Sequence, residues 1–386
     1  MTSDVVFITE TPPPTETSSS DRAGIIFVRR FCLAACIVLT LFFIVVAERT
    51  LLSIAPEAIV RRTPLAGDNA NRSRGAPKET ANVLAAVRRL SGTVGDFVSF
   101  GRVIADGRRF GNQLFNFAAV VFVAELSGRR PALLKFGHRI ELEEVFDLDN
   151  VDRFDNLCPC VEFGEKRALS YDARVETLAN PDNPEVRKKS IVLAGFFQSW
   201  KYTRGVESRL RQQLRFLKRL RRATADFFRQ SVPSSWKGGF IRVGVHVRRA
   251  DVLSDHLVRY GYSTPGAGYF RNAMRYFVDR YDRVQFVVCG EDAAWNKEHV
   301  VETSFNGSTI ETVDVIYSVG RSAAEDFAIL SHCDHVIMST GTYGWWAAWL
   351  ANGTTVYYEK WPMPKTKLDE LFSREDFFPP HWLPMT

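Results

Sequence analysis

The sequence predicts an α/β protein built on parallel sheets in two successive halves, and three observations point there. Short runs rich in Val, Ile and Phe alternate with helical runs at the spacing of βαβ units, first from Phe97 and again from Ile241. Turns bearing Gly, Ser or Thr stand where strands run into helices. At 386 residues the chain is long enough for two such halves. A hydrophobic content of 46% with 24% charged residues is ordinary for a globular protein. The formal net charge of +6 suits anionic small ligands or a membrane surface and is too weak to imply nucleic acid. No zinc-finger, RNA-recognition or basic-zipper spacing is present.

The first 95 residues read differently. Residues 1–24 are rich in Pro, Thr and Ser with little apolar period, a tail expected to be disordered and cytoplasmic. Phe31 to Ala47 is an unbroken apolar run. As a helix it spans roughly 25 Å, a little short of a ~30 Å hydrocarbon core. Ile25–Val28 lengthens it, which gives a single transmembrane signal-anchor over 25–47, with Arg29 and Arg30 snorkelling to the headgroups. That arginine pair favours a cytoplasmic N-terminus. The alternative is a cleaved signal peptide ending near Ala47, although its apolar core would exceed the ~7–15 residues usual for one. Either way the remainder is lumenal or extracellular. Asn71, Asn306 and Asn352 head Asn-x-Ser/Thr triplets and are glycosylation candidates for that compartment. Cys32 and Cys36 fall in the apolar run, which leaves Cys158, Cys160, Cys289 and Cys333 in an oxidising space with no pairing assigned. Residues 48–95 read as a stem.

The first folded half, 96–235, opens with the strand-like FVSFGRVI. A glycine-bearing loop, DGRRFGNQ, follows; then a helix from Leu114 to about Leu126 closed by Gly128, and a strand in PALLKF. Between the halves, SRLRQQLRFLKRLRRATADFF places Leu210, Leu214 and Leu217 on one face of an amphipathic helix, either simply solvated or lying on a membrane. In the second half, 236–386, IRVGVHV, VQFVVCG and DHVIMS read as strands, and YFRNAMRYFVDRY, AAEDFAILSHC and YGWWAAWLANG as helices.

Chemistry concentrates at three turns. In VGVHVRRADV, period-2 alternation sends Val243, Val245 and Val247 to one face and Gly244, His246 and Arg248 to the other, with Arg249 leaving the strand end. Ligands of open α/β sheets bind outside the carboxyl ends of strands, and two guanidinium forks match a diphosphate. Asp251 could pair with Arg249 or take a proton; His246 could be structural or catalytic. GRRFGNQLFNFAA and MSTGTYGWWAAWL each place a turn at a helix N-terminus, a natural anion site. Neither is a GxGxxG or a P-loop. Asp147-Leu-Asp149 has a metal-binding DxD spacing but sits in an acidic loop, LEEVFDLDNVDRFDN, outside the alternating strands.

GNQLF, GFFQSWKY (195–202), HVRRAD, EDAAWNKEH (291–299) and DFAILSHCDHVIMSTGTYGWWAAWL (326–350) together resemble the galactoside α-1,2-fucosyltransferases, glycosyltransferase family 11, over about Gly101 to Trp382. The resemblance implies a GT-B-like fold of two Rossmann-like lobes with a donor-binding C-terminal lobe. It implies GDP-fucose as donor, a galactose-terminated glycan as acceptor, and a single-pass type II Golgi membrane protein with its catalytic part lumenal. Arg248 and Arg249 would hold the diphosphate, with His246, Arg249 and Asp251 as the catalytic candidates. Gly111, Asn112 and Gln113 would lie beside the phosphates. Ser339, Thr340, Thr342 and Tyr343 match the donor-side turn. Asp292, with Trp295, and Asp326 complete the donor-binding set. No cofactor or metal is expected, since arginines and helix termini can hold the departing charge. The chain has Ala250-Asp251-Val252 where the family usually has Gly-Asp-Tyr.

Overall fold

The computed structural model describes residues 96–386 apart from 102–108, 136–139, 156, 158, 181, 237, 250 and 303–310. The expected anchor and stem, Asn71, Asn306 and Ala250 lie outside the described residues. No described helix is long and apolar enough to cross a membrane.

Two wholly parallel sheets organise the chain. The first is made of β1 (Phe97–Phe100), β2 (Arg130–Leu134), β3 (Asp152–Phe154), β4 (Cys160–Gly164) and β5 (Ser190–Ala194), in spatial order β3-β2-β1-β5-β4. The helix α1 (Phe110–Leu126) follows β1, while α2 (Glu207–Gln213) and α3 (Lys218–Gln230) lead to the second sheet. There β6 (Ile241–Val247), β7 (Val284–Gly290), β8 (Val313–Ser318), β9 (His335–Met338), β10 (Thr355–Tyr358) and β11 (Leu383–Met385) run in the order β11-β10-β9-β6-β7-β8. Between them lie α4 (Ala267–Val278), α5 (Ala323–Ser331) and α6 (Thr342–Ala351). In each sheet the chain reverses its direction of travel beside the first strand, at β1/β5 and at β6/β9. Such reversals open a crevice outside the strand ends.

The core explains why the halves stay together. Helix α1 is buried on almost every face, as a helix apolar all round must be. Its Phe115 packs against Trp345 and Trp346 of α6, with ring centroids 4.6 and 5.1 Å apart. Apolar side chains of both sheets therefore share one continuous core.

Three local expectations need correction. Helix α1 begins at Phe110 rather than Leu114, so Gly111, Asn112 and Gln113 form its first turn instead of a loop. The Phe110 N–H donates to Glu141 Oε2 at 2.6 Å, a cap from 31 positions away that no local pattern announces. The Leu210–Leu217 face is divided between α2 and α3, because Phe216 bridges to Phe146 and the N–H of Leu217 donates to the carbonyl of Val145. The acidic segment after Asp149 continues into the edge strand β3. Among the remaining cysteines, Cys289 and Cys333 are free thiols, both buried.

Candidate active site

The carboxyl ends of β6 and β9 are stitched to each other. The N–H of Arg248 donates to Ser339 Oγ at 2.9 Å, and the N–H of Ser339 donates to the carbonyl of His246 at 3.1 Å. Ser339 Oγ also lies 3.1 Å from His246 Nδ1. His246 is buried beside the ring of Tyr343. Burial, reinforced by the Arg248 charge, lowers its pKa to about 3. The imidazole is thus neutral at working pH and a weak base. Its observed contacts hold the strand ends together.

The arginines diverge, and this overturns the expected Asp251–Arg249 pair. Asp251 begins a 3-10 turn that folds its carboxylate back onto Arg248, whose Nε and Nη2 donate at 3.0 and 2.6 Å. Arg109, at the entry to α1 in the first half, donates Nη2 to the same carboxylate at 2.8 Å. Burial pushes the Asp251 carboxyl up, but the Arg248 bonds and the charges of both arginines outweigh it and hold it below its usual range. The guanidinium of Arg249 instead lies 4.3 Å from the ring centroid of Trp295 and makes no ion pair among the described residues. Two cations therefore share one anion, while Arg249 has no carboxylate partner among the described residues.

The N-termini of α1 and α6 meet at this cluster. Thr342 Oγ1 donates to Asn112 Oδ1 at 3.1 Å, and Gln198 Nε2 donates to the same oxygen at 2.7 Å. A Cβ on Gly111 would lie 2.8 Å from the backbone of Thr342 and Tyr343, closer than real Cβ atoms come. Gly341 has φ +92°, and a Cβ there would collide with Arg248. Partial positive charge from both helix ends is thus directed to one place.

The family model described as Glycosyl transferase family 11 matches residues 102–386. The chain belongs to this family. Galactoside alpha-(1,2)-fucosyltransferase 1 of Sus scrofa is 29% identical over 374 residues, covering 92% of this chain and 94% of that protein. The proteins of that name from Alouatta caraya and Homo sapiens are 31% and 30% identical, covering 73% and 71% of this chain and 73% and 72% of their own. Among solved structures, POFUT1 in complex with GDP-fucose matches at 10% identity and a TM-score of 0.44, covering 69% of this chain and 98% of that one.

Within this family 11 chain, several residues expected in the donor-binding set make well-defined contacts with the rest of the fold. Gln113 is buried and accepts the Leu142 N–H through Oε1 at 3.4 Å, so it points into the core. Tyr343 donates its hydroxyl to the carbonyl of Ala323 at 2.6 Å, which ties α6 to α5. Asp292 is exposed and takes the Trp295 N–H at 3.0 Å, so it holds the tryptophan under Arg249. The Thr340 hydroxyl is enclosed with no partner among the described residues. Arg109, Gln198 and Glu141 were missed as contributors, although Arg109 lies in the glycine-bearing turn GRRFGNQ and Gln198 in the motif GFFQSWKY. No group of three or more His, Cys, Asp or Glu able to hold a metal occurs among the described residues. Asp147 and Asp149 close a local turn, in which the Asp149 N–H faces Asp147 Oδ1 at 3.4 Å.

Asp326, near the start of α5, accepts the Ser318 hydroxyl at the end of β8. Burial raises its pKa to about 6, against the opposing effects of the Ser318 bond and Arg321. Between roughly pH 4 and 6 the folded chain then holds a proton that the unfolded chain has lost, so this group's contribution to stability falls as pH rises. Asp326→Asn should match the parent in thermal midpoint near pH 4 and gain on it progressively up to about pH 6. A constant difference across that range would contradict the assignment.

Proposed function

We propose that this family 11 glycosyltransferase transfers L-fucose from GDP-β-L-fucose to the 2-hydroxyl of a terminal β-galactose on a glycan, with inversion at the anomeric carbon. The observation that carries the proposal is the meeting of Arg109, Arg248 and two helix N-termini beyond the end of β6, the strand that Arg249 also leaves, in a chain similar to galactoside α-(1,2)-fucosyltransferases over nearly its whole length. In the proposed reaction the acceptor oxygen forms a bond to the fucose anomeric carbon and its hydroxyl proton is released to water. The bond from that carbon to the β-phosphate oxygen breaks, and GDP leaves with the electron pair through an oxocarbenium-like state. The negative charge that develops on the phosphate is met by guanidinium groups already in place, which need no reorganisation. Asp251, held ionised, aligns Arg248 and Arg109.

The same proposal extends to architecture and place. It assigns a GT-B-like arrangement, with 96–235 as the acceptor-side lobe and 236–386 as the GDP-fucose lobe. Ser339, Thr340 and Thr342 with Asn112 would line the phosphate end, and Asp326 the nucleotide side. Residues 25–47 would anchor the chain as a type II protein in the Golgi membrane, with the stem over 48–95. Asn352 would carry a glycan on the lumenal side; it is exposed at the C-terminal end of α6 in a left-handed conformation, φ +62°.

GDP release from GDP-fucose by the purified full-length chain tests the reading. Stimulation by a terminal β-galactoside, with a new α-1,2 linkage seen by NMR, is the expected result. Stimulation only by a polypeptide or another sugar would reassign the acceptor, and binding without turnover would remove catalysis. Turnover should persist in EDTA, because the proposed charge stabilisation is wholly cationic protein; complete loss restored by Mn²⁺ would return attention to Asp147 and Asp149.

A further inference from the structure

Asn112 occupies an unusual electrostatic position. Its carboxamide oxygen receives two donors from different parts of the fold, Gln198 Nε2 at 2.7 Å and Thr342 Oγ1 at 3.1 Å. A carbonyl oxygen with two lone pairs is then saturated, so the carboxamide cannot rotate without breaking both bonds. The remaining polar atom, Nδ2, makes no hydrogen bond to any described residue, at the point where the helix N-termini and the arginine cluster converge. Asn112 itself is half-buried rather than exposed.

Gln198 is held for this contact by an arrangement that the packing of the sheet does not require. After β5 the chain turns through Phe197 in the left-handed region, φ +50°, a conformation that costs a non-glycine residue energy. The carboxylate of Glu165 fixes that turn by accepting the N–H groups of Phe196 and Phe197 at 2.7 and 2.6 Å. The Phe197 ring is fully buried against Tyr202. Together these contacts deliver the Gln198 side chain, itself only 6% exposed, onto Asn112. Backbone strain and a doubly hydrogen-bonded carboxylate are thus arranged around one side-chain amide.

We propose that Gln198 is a positioning residue: by donating to Asn112 Oδ1 it orients the carboxamide so that Nδ2 presents an N–H to a phosphate oxygen of the nucleotide. This inference rests on the GDP-fucose reading of the site. Gln198 acts through Asn112 and does not touch the reacting atoms. Its chemistry is directional, because a residue that only accepts would turn Asn112 around and set an oxygen against the phosphate.

The test is a double-mutant cycle on GDP binding, with the full-length chain and GDP itself as the probe. Gln198→Met keeps the length and loses the donor; Gln198→Glu replaces the donor by an acceptor. We expect GDP affinity to fall about fivefold in the first and about tenfold or more in the second, with the KM for GDP-fucose rising in step and the KM for the acceptor unchanged. In an Asn112→Ala background the same substitutions should change GDP affinity less than about twofold, the non-additivity of groups that act as one. Equal losses in both backgrounds would overturn the positioning role, as would unchanged GDP affinity in Gln198→Glu. An unsubstituted chain that binds no GDP would overturn the donor reading, and with it this inference.

Discussion

Replacing Arg249 with alanine should lower kcat about a hundredfold or more, the loss of one preorganised charge-stabilising donor, roughly 3–4 kcal/mol of barrier. Arg248 and Arg249 are neighbours in sequence but not equivalent in charge. Arg248 donates to Asp251 through Nε and Nη2, so much of its positive field is already answered. Among the described residues, Arg249 has only the face of Trp295, 4.3 Å from its guanidinium carbon. A cation–π contact of this kind at a partly exposed position stabilises by about 0.5–1 kcal/mol, and because it uses the guanidinium face it leaves the N–H donors at the edge for an arriving diphosphate. Arg249 is thus the cation with most to offer the leaving group. Arg249→Lys should retain an intermediate rate, since it keeps the charge and loses the planar fork. Steady-state kinetics at saturating acceptor measures both, and near-parental kcat in the alanine variant would remove Arg249 from catalysis.

Substituting Gly111 with alanine should destabilise the fold by about 1–3 kcal/mol and reduce turnover at least tenfold. The added methyl would lie 2.8 Å from the carbonyl carbon of Thr342 and from the N of Tyr343. Those are backbone atoms at the start of α6, so neither neighbour can rotate away. The helices must separate, which lengthens the Thr342–Asn112 bond and draws Arg109, at the entry to α1, away from Asp251. Thermal unfolding reads the first effect, and kcat/KM for GDP-fucose the second. Gly128→Ala supplies a contrast: that glycine has φ +64° and no atom within 4 Å of its missing Cβ, so its cost is conformational and should leave the kinetics unchanged.

Legibility differed with the range of the determining interaction. Strands β6, β7 and β9 were readable because each is a buried run of β-branched or apolar residues bounded by turn signals. Strands β3, β4 and β11 went unread because each lies at a sheet edge and is half-exposed, so no buried apolar run marks it, and β10 went unread with them. Strands β5 and β8 were also missed, although SIVLA and VDVIYS carry apolar character. The start of α1 was misplaced because its cap, Glu141, comes from a distant segment. At the site, the arginine pair and the two glycine-bearing turns were visible as strand-end chemistry. The identity of Asp251's partner was not, because a 3-10 turn reverses the chain just after Arg249 and returns the carboxylate to Arg248.

Local composition alone determined that two parallel α/β halves would follow residue 96 and that positive charge would gather where β6 ends. It could do so because side-chain period and turn chemistry are properties of neighbouring residues. Only the tertiary structure decided which arginine is neutralised and which is left available. It also decided that Arg109 would meet Asp251 from 142 positions away, and that Asn112 would be pinned from both sides. Those outcomes depend on how closely α1 and α6 pack, and the aromatic core that sets their distance is assembled from segments far apart in the chain.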